Sequence, residues 1–81
     1  MERVTIVKDA LMREINQEMA LSSACRGLHA LDVVRDPARV QGANWKMQGF
    51  RRSGHGHDEA ECQVSIAEFM ADMQERFDIG E

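Results

Sequence analysis

Apolar residues recur one helical turn apart at Val7, Leu11, Ile15 and Met19, with Val4 just ahead of them. That spacing predicts a helix over 5–20 with one face turned to a core. Asp9 and Arg13 stand four apart on its outer side as a favourable pair. Thr5 is the candidate cap, although Lys8 stands where a capping-box glutamate would be. A second stripe, Leu21, Cys25 and Leu28, is centred roughly 90–120° further round at 100° per residue. One straight helix cannot turn both stripes to one core. The expectation is therefore a bent N-terminal helical segment, broken near Ser22-Ser23, where serine caps a new start. It should end by Arg35, because Pro37 disfavours helix at Asp36.

Asp36-Pro37-Ala38-Arg39 reads as a type I turn. Beyond it Trp45 and Met47 alternate with Lys46 and Gln48, which predicts one or two short strands around 43–50. The pairing partner is open between 3–7, the Val33-Val34 stretch, a second protomer and a target. Residues 53–57 read as a loop. After it Cys62, Ile66, Phe69, Met70, Met73 and Phe77 share one helical face. Asp58 with Glu61 makes a capping box, and Gly80 stands where a helix C-cap glycine belongs. These residues predict a long C-terminal amphipathic helix. A competing reading makes 62–66 a strand and starts the helix at Ser65, whose box partner is Glu68. The fold class expected is a helix-dominated α+β domain, a single small unit over 1–81, with Trp45 and Met47 closing one side of a helical core.

Size limits that core. A chain of 81 residues buries only about 60% of its extended surface, so oligomerisation, as a homodimer, or residence on a partner would supplement it. Its aromatics are Trp45, Phe50, Phe69 and Phe77, and the six methionines fill gaps or line an adaptable surface. No apolar run approaches a membrane span, and residues 1–8 lack the apolar stretch of a signal peptide. Cys25 and Cys62 both fall at apolar-face positions and read as reduced, buried thiols. The compartment expected is the cytoplasm, with no membrane partner.

Charge changes the picture more than composition does. Residues 1–52 carry nine Lys/Arg and six Asp/Glu, a net of +3; residues 53–81 carry Arg76 against eight Asp/Glu, a net of −7. Within the second part Glu61, Ser65, Glu68, Asp72 and Glu75 follow 4-3-4-3 spacing, which lays them along about 21 Å of helix within an arc of about 80°. Each like-charge contact there costs about 0.2–0.5 kcal/mol. Local stability therefore did not select them. They are either a solvated face that keeps a small protein soluble or a row that docks on a basic groove, including one that normally holds nucleic acid.

Other constellations are weaker. His55 and His57, with Asp58, Glu59 and Cys62 near, are candidate metal ligands, but a closed zinc site needs three or four converging donors. Cys25 and His29 are four apart, as a thiol nucleophile and base would be on a helix, yet a helix interior offers no oxyanion donors. No cofactor signature is present, and the expectation is a protein that is not an enzyme. Arg35, Arg39, Lys46, Arg51 and Arg52 gather around Trp45 and Phe50. Such a mixture can bind a nucleic-acid backbone and stack bases. Five cations on an acidic protein disfavour direct binding, and the same surface can hold a neighbour's acidic helix.

Two resemblances bear on function. Arg3-Val4-Thr5-Ile6-Val7 ahead of a helix resembles the opening of ribbon-helix-helix repressors, whose strand residues enter the DNA groove. The turn glycine and second-helix opening of that family are absent here. Asn44-Trp45, Cys62 and the closing Met73-Gln74-Glu75-Arg76-Phe77-Asp78-Ile79 resemble small uncharacterised phage and prophage accessory proteins. That resemblance covers about 38 residues. It implies a non-catalytic inhibitor or adaptor, of the kind that blocks host systems such as CRISPR complexes. The expected contacts on a basic host protein are Glu61, Glu68, Asp72 and Glu75, with Trp45, Arg51 and Arg52 beside them. The alternative is an antitoxin or small transcriptional repressor with a DNA-binding N-terminal part.

Overall fold

Only the first of the two N-terminal stripes becomes a helix. A computed structural model describes residues 3–40, 42–54 and 58–80. The chain runs β1 (Val4–Val7), α1 (Lys8–Ala20), a 3-10 turn (Ser23–Cys25), β2 (Leu28–Ala30), β3 (Val33–Arg35), β4 (Trp45–Met47), β5 (Phe50–Arg52), α2 (Glu59–Arg76) and β6 (Phe77–Gly80). The expectation of a helix-dominated domain with a bent N-terminal helical segment and strands confined to 43–50 is thereby overturned. Among the described residues there are two α-helices and six short strands.

Local chemistry explains the difference. Val4-Thr5-Ile6-Val7 is a run of β-branched residues, which suits a pleated strand better than a first helical turn. Thr5 therefore lies in β1, and α1 starts after an extended Val7 with no side-chain cap. The second stripe meets Gly27, whose φ of 75° no helix continues through. Leu28 and Ala30 are then buried as alternate residues of β2, not as turns of a helix.

Strands β2 to β5 form one antiparallel ribbon. Leu28 faces Arg52, and Arg35 faces Trp45, in the same register. Backbone bonds extend that register through Ser53 N–H to Gly27 O (2.7 Å), Leu31 N–H to Gly49 O (3.0 Å), Gln48 N–H to Asp32 O (2.8 Å) and Asp36 N–H to Asn44 O (2.9 Å). At Leu31-Asp32 the inward side switches, so Leu28 and Ala30 are buried in one half and Val33 and Trp45 in the other. The Val33-Val34 stretch is thus the partner of the strand that Trp45 and Met47 announced. The turn at its end is closed by Arg39 N–H to Asp36 O (3.0 Å), and the buried Asp36 carboxylate accepts from Val40 N–H (3.1 Å).

β1 pairs with β6 in parallel, Val4 against Phe77 and Val7 against Gly80. Gly80 is therefore not a helix cap. It sits in a strand so close to Thr5 that a Cβ would lie 2.3 Å from the Thr5 methyl. Helix α2 ends at Arg76, short of both the Phe77 of its apolar face and the expected Gly80 cap, because Phe77 is already extended. The core is Leu11, Ile15 and Met19 of α1 against Cys62, Ile66 and Met73 of α2, with Trp45, Val33, Leu28 and Ile79 beneath.

Cys25 and Cys62 are joined by a disulfide between the 3-10 turn and α2, with Cα atoms 4.7 Å apart. The expectation of two reduced thiols is corrected accordingly. Both cysteines occupy core-facing positions, and two such positions from different elements are what a buried crosslink requires.

A candidate docking face on the second helix

Helix α2 starts where its cap chemistry dictates. The Asp58 side chain accepts from Glu61 N–H at 3.1 Å, and Glu59 and Glu61 complement the positive end of the helix. Residues 62–66 are therefore helical, and the strand reading of that stretch does not hold. Cys62, Ile66 and Met73 are buried, while Phe69 and Met70 are half-buried.

With those residues inward, Glu61, Ser65, Glu68, Asp72 and Glu75 are all exposed. Asp72 is partly engaged, because Arg76 four residues on reaches its carboxylate at 2.9 Å and also lies over the Phe77 ring. Ser65 shares a hydrogen bond with Ser22 at 2.5 Å. Among the described residues, Glu61, Glu68 and Glu75 make no ion pair. The row thus presents three uncompensated carboxylates and one shared one.

The remaining acidic residues of this region serve the fold. Glu59 pairs with Arg52. Asp78 is a hub that the pattern of apolar positions did not reveal. Its carboxylate meets Arg39 at 3.1 and 3.2 Å and Arg3 at 3.5 Å, and accepts from Asn44 N–H at 3.1 Å. Burial pushes the Asp78 carboxyl up, but the Arg39 hydrogen bonds, the Asn44 N–H and both guanidinium charges outweigh that and hold it below its ordinary value. Beside it the Asn44 side chain accepts from Ile79 N–H (2.8 Å) and donates to Ile79 O (3.1 Å), stitching β6 to the ribbon as a backbone would. The sequence signal, in hindsight, is Asn44-Trp45 and Asp78-Ile79 as polar–apolar pairs at the two ends of the resemblance.

The other expected contacts are divided. Trp45 is fully buried, and its indole N–H donates to Phe77 O at 3.0 Å, so it belongs to the core and cannot face a partner. Arg51 is exposed on β5 across from His29, and Arg52 is held by Glu59. Arg39 is committed to Asp78 and to Gly42 O. Two of the five cations gathered around the ribbon, Arg39 and Arg52, are thus spent on carboxylates of the fold.

Cys25, bound to Cys62, has no thiolate to offer, and His29 is on a strand and not one helical turn from it, so the thiol–histidine pair dissolves. His55 and His57 lie outside the described residues. Among the described residues no three His, Cys, Asp or Glu side chains are grouped as metal ligands, and no helix is long and apolar enough to cross a membrane. No protein-family model matches the chain, and no curated protein and no solved structure is detectably similar to it.

Proposed function

We propose that this chain is a non-catalytic protein-binding module that docks the outer face of α2 on a cationic surface of another protein. The observation that carries the reading is that Glu61, Glu68 and Glu75 are exposed carboxylates without ion pairs among the described residues, whereas Glu59, Asp72 and Asp78 are matched to arginines and Asp58 caps the helix. Exposed like charges at helical spacing oppose local stability. A field of one sign guides and selects a partner of the other. The resemblance of residues 44–79 to phage and prophage accessory proteins supports an inhibitor or adaptor role on a host protein, in the manner of an anti-CRISPR. A cytoplasmic site of action goes with that role.

The repressor or antitoxin alternative draws less support. Its DNA-reading strand would be β1, and the Arg3 guanidinium at the head of β1 is engaged with Gln74 O, Phe77 O and Asp78.

The test is affinity capture with the tagged chain, followed by titration of the purified partner. The Glu68→Lys/Asp72→Lys double variant should keep its fold and lose affinity at least about 100-fold, and wild-type affinity should fall with added salt. A partner bound equally well by the double variant would refute the docking face.

A further inference from the structure

The two ends of α2 are held by different chemistry. Its C-terminal end passes directly into β6, which is paired along β1 and tied to Asn44, Trp45, Arg3 and Arg39. Its N-terminal end is joined to the rest of the described molecule by the Cys25–Cys62 bond, by the packing of Ile66 into the core, and by two surface contacts, Ser22–Ser65 and Arg52–Glu59. The disulfide spans 37 residues of sequence, and the whole β2–β5 ribbon lies inside the loop it closes.

The two cysteines are not equally placed, although both are buried. Cys25, and not Cys62, lines a cavity of about 470 Å³ that opens to solvent between the end of α1, the 3-10 turn and the start of β2. Met19, Leu21 and Leu28 give that cavity apolar walls, and Arg26 and His29 stand on it as well. The Arg26 charge on the same cavity attracts an approaching thiolate, and Cys25 is the cysteine that such a thiolate reaches once the cavity wall gives way.

We propose that the Cys25–Cys62 disulfide is a redox latch on the docking face, an inference that rests on the function proposed above. A protein or small-molecule dithiol enters through the cavity and its thiolate attacks Cys25 Sγ. The Cys25–Cys62 bond breaks as a mixed disulfide forms on Cys25, and Cys62 departs as a thiolate that takes up a proton. The reductant's second thiol then displaces Cys25, which is protonated in turn. The chain gains two electrons and two protons, and the reductant leaves as its own disulfide. Disulfides of proteins that act in the cytoplasm are mostly transient or redox-sensing, which fits a bond that is opened in use. Once it is open, residues 59–66 lose their covalent tether and keep only the packing of Ile66 and the surface contacts, while the end of α2 seated by β6 keeps its own. The acidic row then shortens from about 21 Å, Glu61 to Glu75, to about 10 Å, Glu68 to Glu75.

Hydrogen exchange read by mass spectrometry on the free chain tests the latch. Oxidised protein is compared with protein reduced by dithiothreitol and with the Cys25→Ser/Cys62→Ser double variant. Reduction should speed exchange in 59–66 by about tenfold or more and leave 73–80 within about twofold, and the double variant should reproduce that pattern without reductant. Unchanged exchange in 59–66 overturns the proposal. So does loss of protection along the whole chain, which would make the bond a global staple. No partner is needed, so failure here leaves the docking face standing. That face is tested separately, by titrating the partner.

Discussion

Arg39 and Asp78 meet through two parallel hydrogen bonds, Nη1 to Oδ1 at 3.2 Å and Nη2 to Oδ2 at 3.1 Å, and so pin the ribbon's turn to the last strand. The pair is asymmetric. Asp78 is mostly buried and also serves Asn44 N–H and Arg3, whereas nearly half of the Arg39 side chain is exposed. Asp78→Ala should therefore cost about 2–3 kcal/mol, because it strands several donors at once. Arg39→Ala should cost about 1 kcal/mol. Urea unfolding of both variants and of the double variant checks this. Equal costs for the two single variants would show that Asp78 is not the hub.

Acid should loosen the fold through Asp78 and Asp32. The Asp32 carboxyl is held below its ordinary value chiefly by the hydrogen bond from Lys8, helped by Val33 N–H and the Lys8 charge against the effect of burial. Asp78 is depressed as described above. A carboxyl depressed by folding contributes stability that is complete above its unfolded pKa of about 3.9 and disappears as pH falls through the folded value. The melting temperature should accordingly be nearly flat from neutral pH to about pH 5 and fall below about pH 4. Asp78→Asn should start lower and fall less steeply, since its contribution is absent at every pH. A fall as steep as wild type would assign the acid sensitivity elsewhere.

The aromatic contributions should separate by burial. The face of α2 marked Phe69 as core from its spacing alone, which sets an expectation of about 3–5 kcal/mol for Phe69→Ala. The ring is only half-buried, so the cost should be nearer 1–2 kcal/mol. Trp45→Ala should cost the larger amount, about 3–5 kcal/mol, because the indole is fully enclosed and its N–H holds Phe77 O. Denaturant midpoints that rank Phe69 above Trp45 would refute this order.

What was legible in the sequence follows from the range of the interactions concerned. The α1 stripe of Leu11, Ile15 and Met19, the Asp58 cap and the inward side of α2 all depend on neighbours within about one helical turn, and spacing displays these directly. Gly27 and the run Val4-Thr5-Ile6-Val7 were local signals too, and they outweighed an apolar period that looked helical. Pairings were not legible. Nothing near Phe77 announces that it lies beside Val4, and β6 is read as helix until its parallel partner is known. The disulfide belongs to the same class. Each cysteine was correctly turned inward, but their approach depends on how the 3-10 turn seats against α2. Of the site, the acidic row was visible from its spacing, whereas the loss of Trp45 to the core and of Arg39 to Asp78 required the folded chain.

Arg76 gives the sharpest test of the docking face. It is the single cation among residues 58–80, and it stands at the C-terminal end of the acidic row with its guanidinium on Asp72. Both partners are more than half exposed, so the pair contributes little to folding, about 0.2–0.5 kcal/mol for an i,i+4 contact. For a cationic partner the guanidinium is a repulsive charge, and it also occupies a carboxylate that the partner would use. Arg76→Ala should thus leave the melting temperature within a few degrees of wild type while tightening partner binding by about two- to fivefold at low salt. Glu75→Ala, a deletion of an uncompensated carboxylate one residue away, should weaken binding by a similar factor. Isothermal titration of the captured partner distinguishes the outcomes. If Arg76→Ala weakens binding as much as Glu75→Ala does, the partner reads shape or apolar contacts along α2, and its surface there is not cationic.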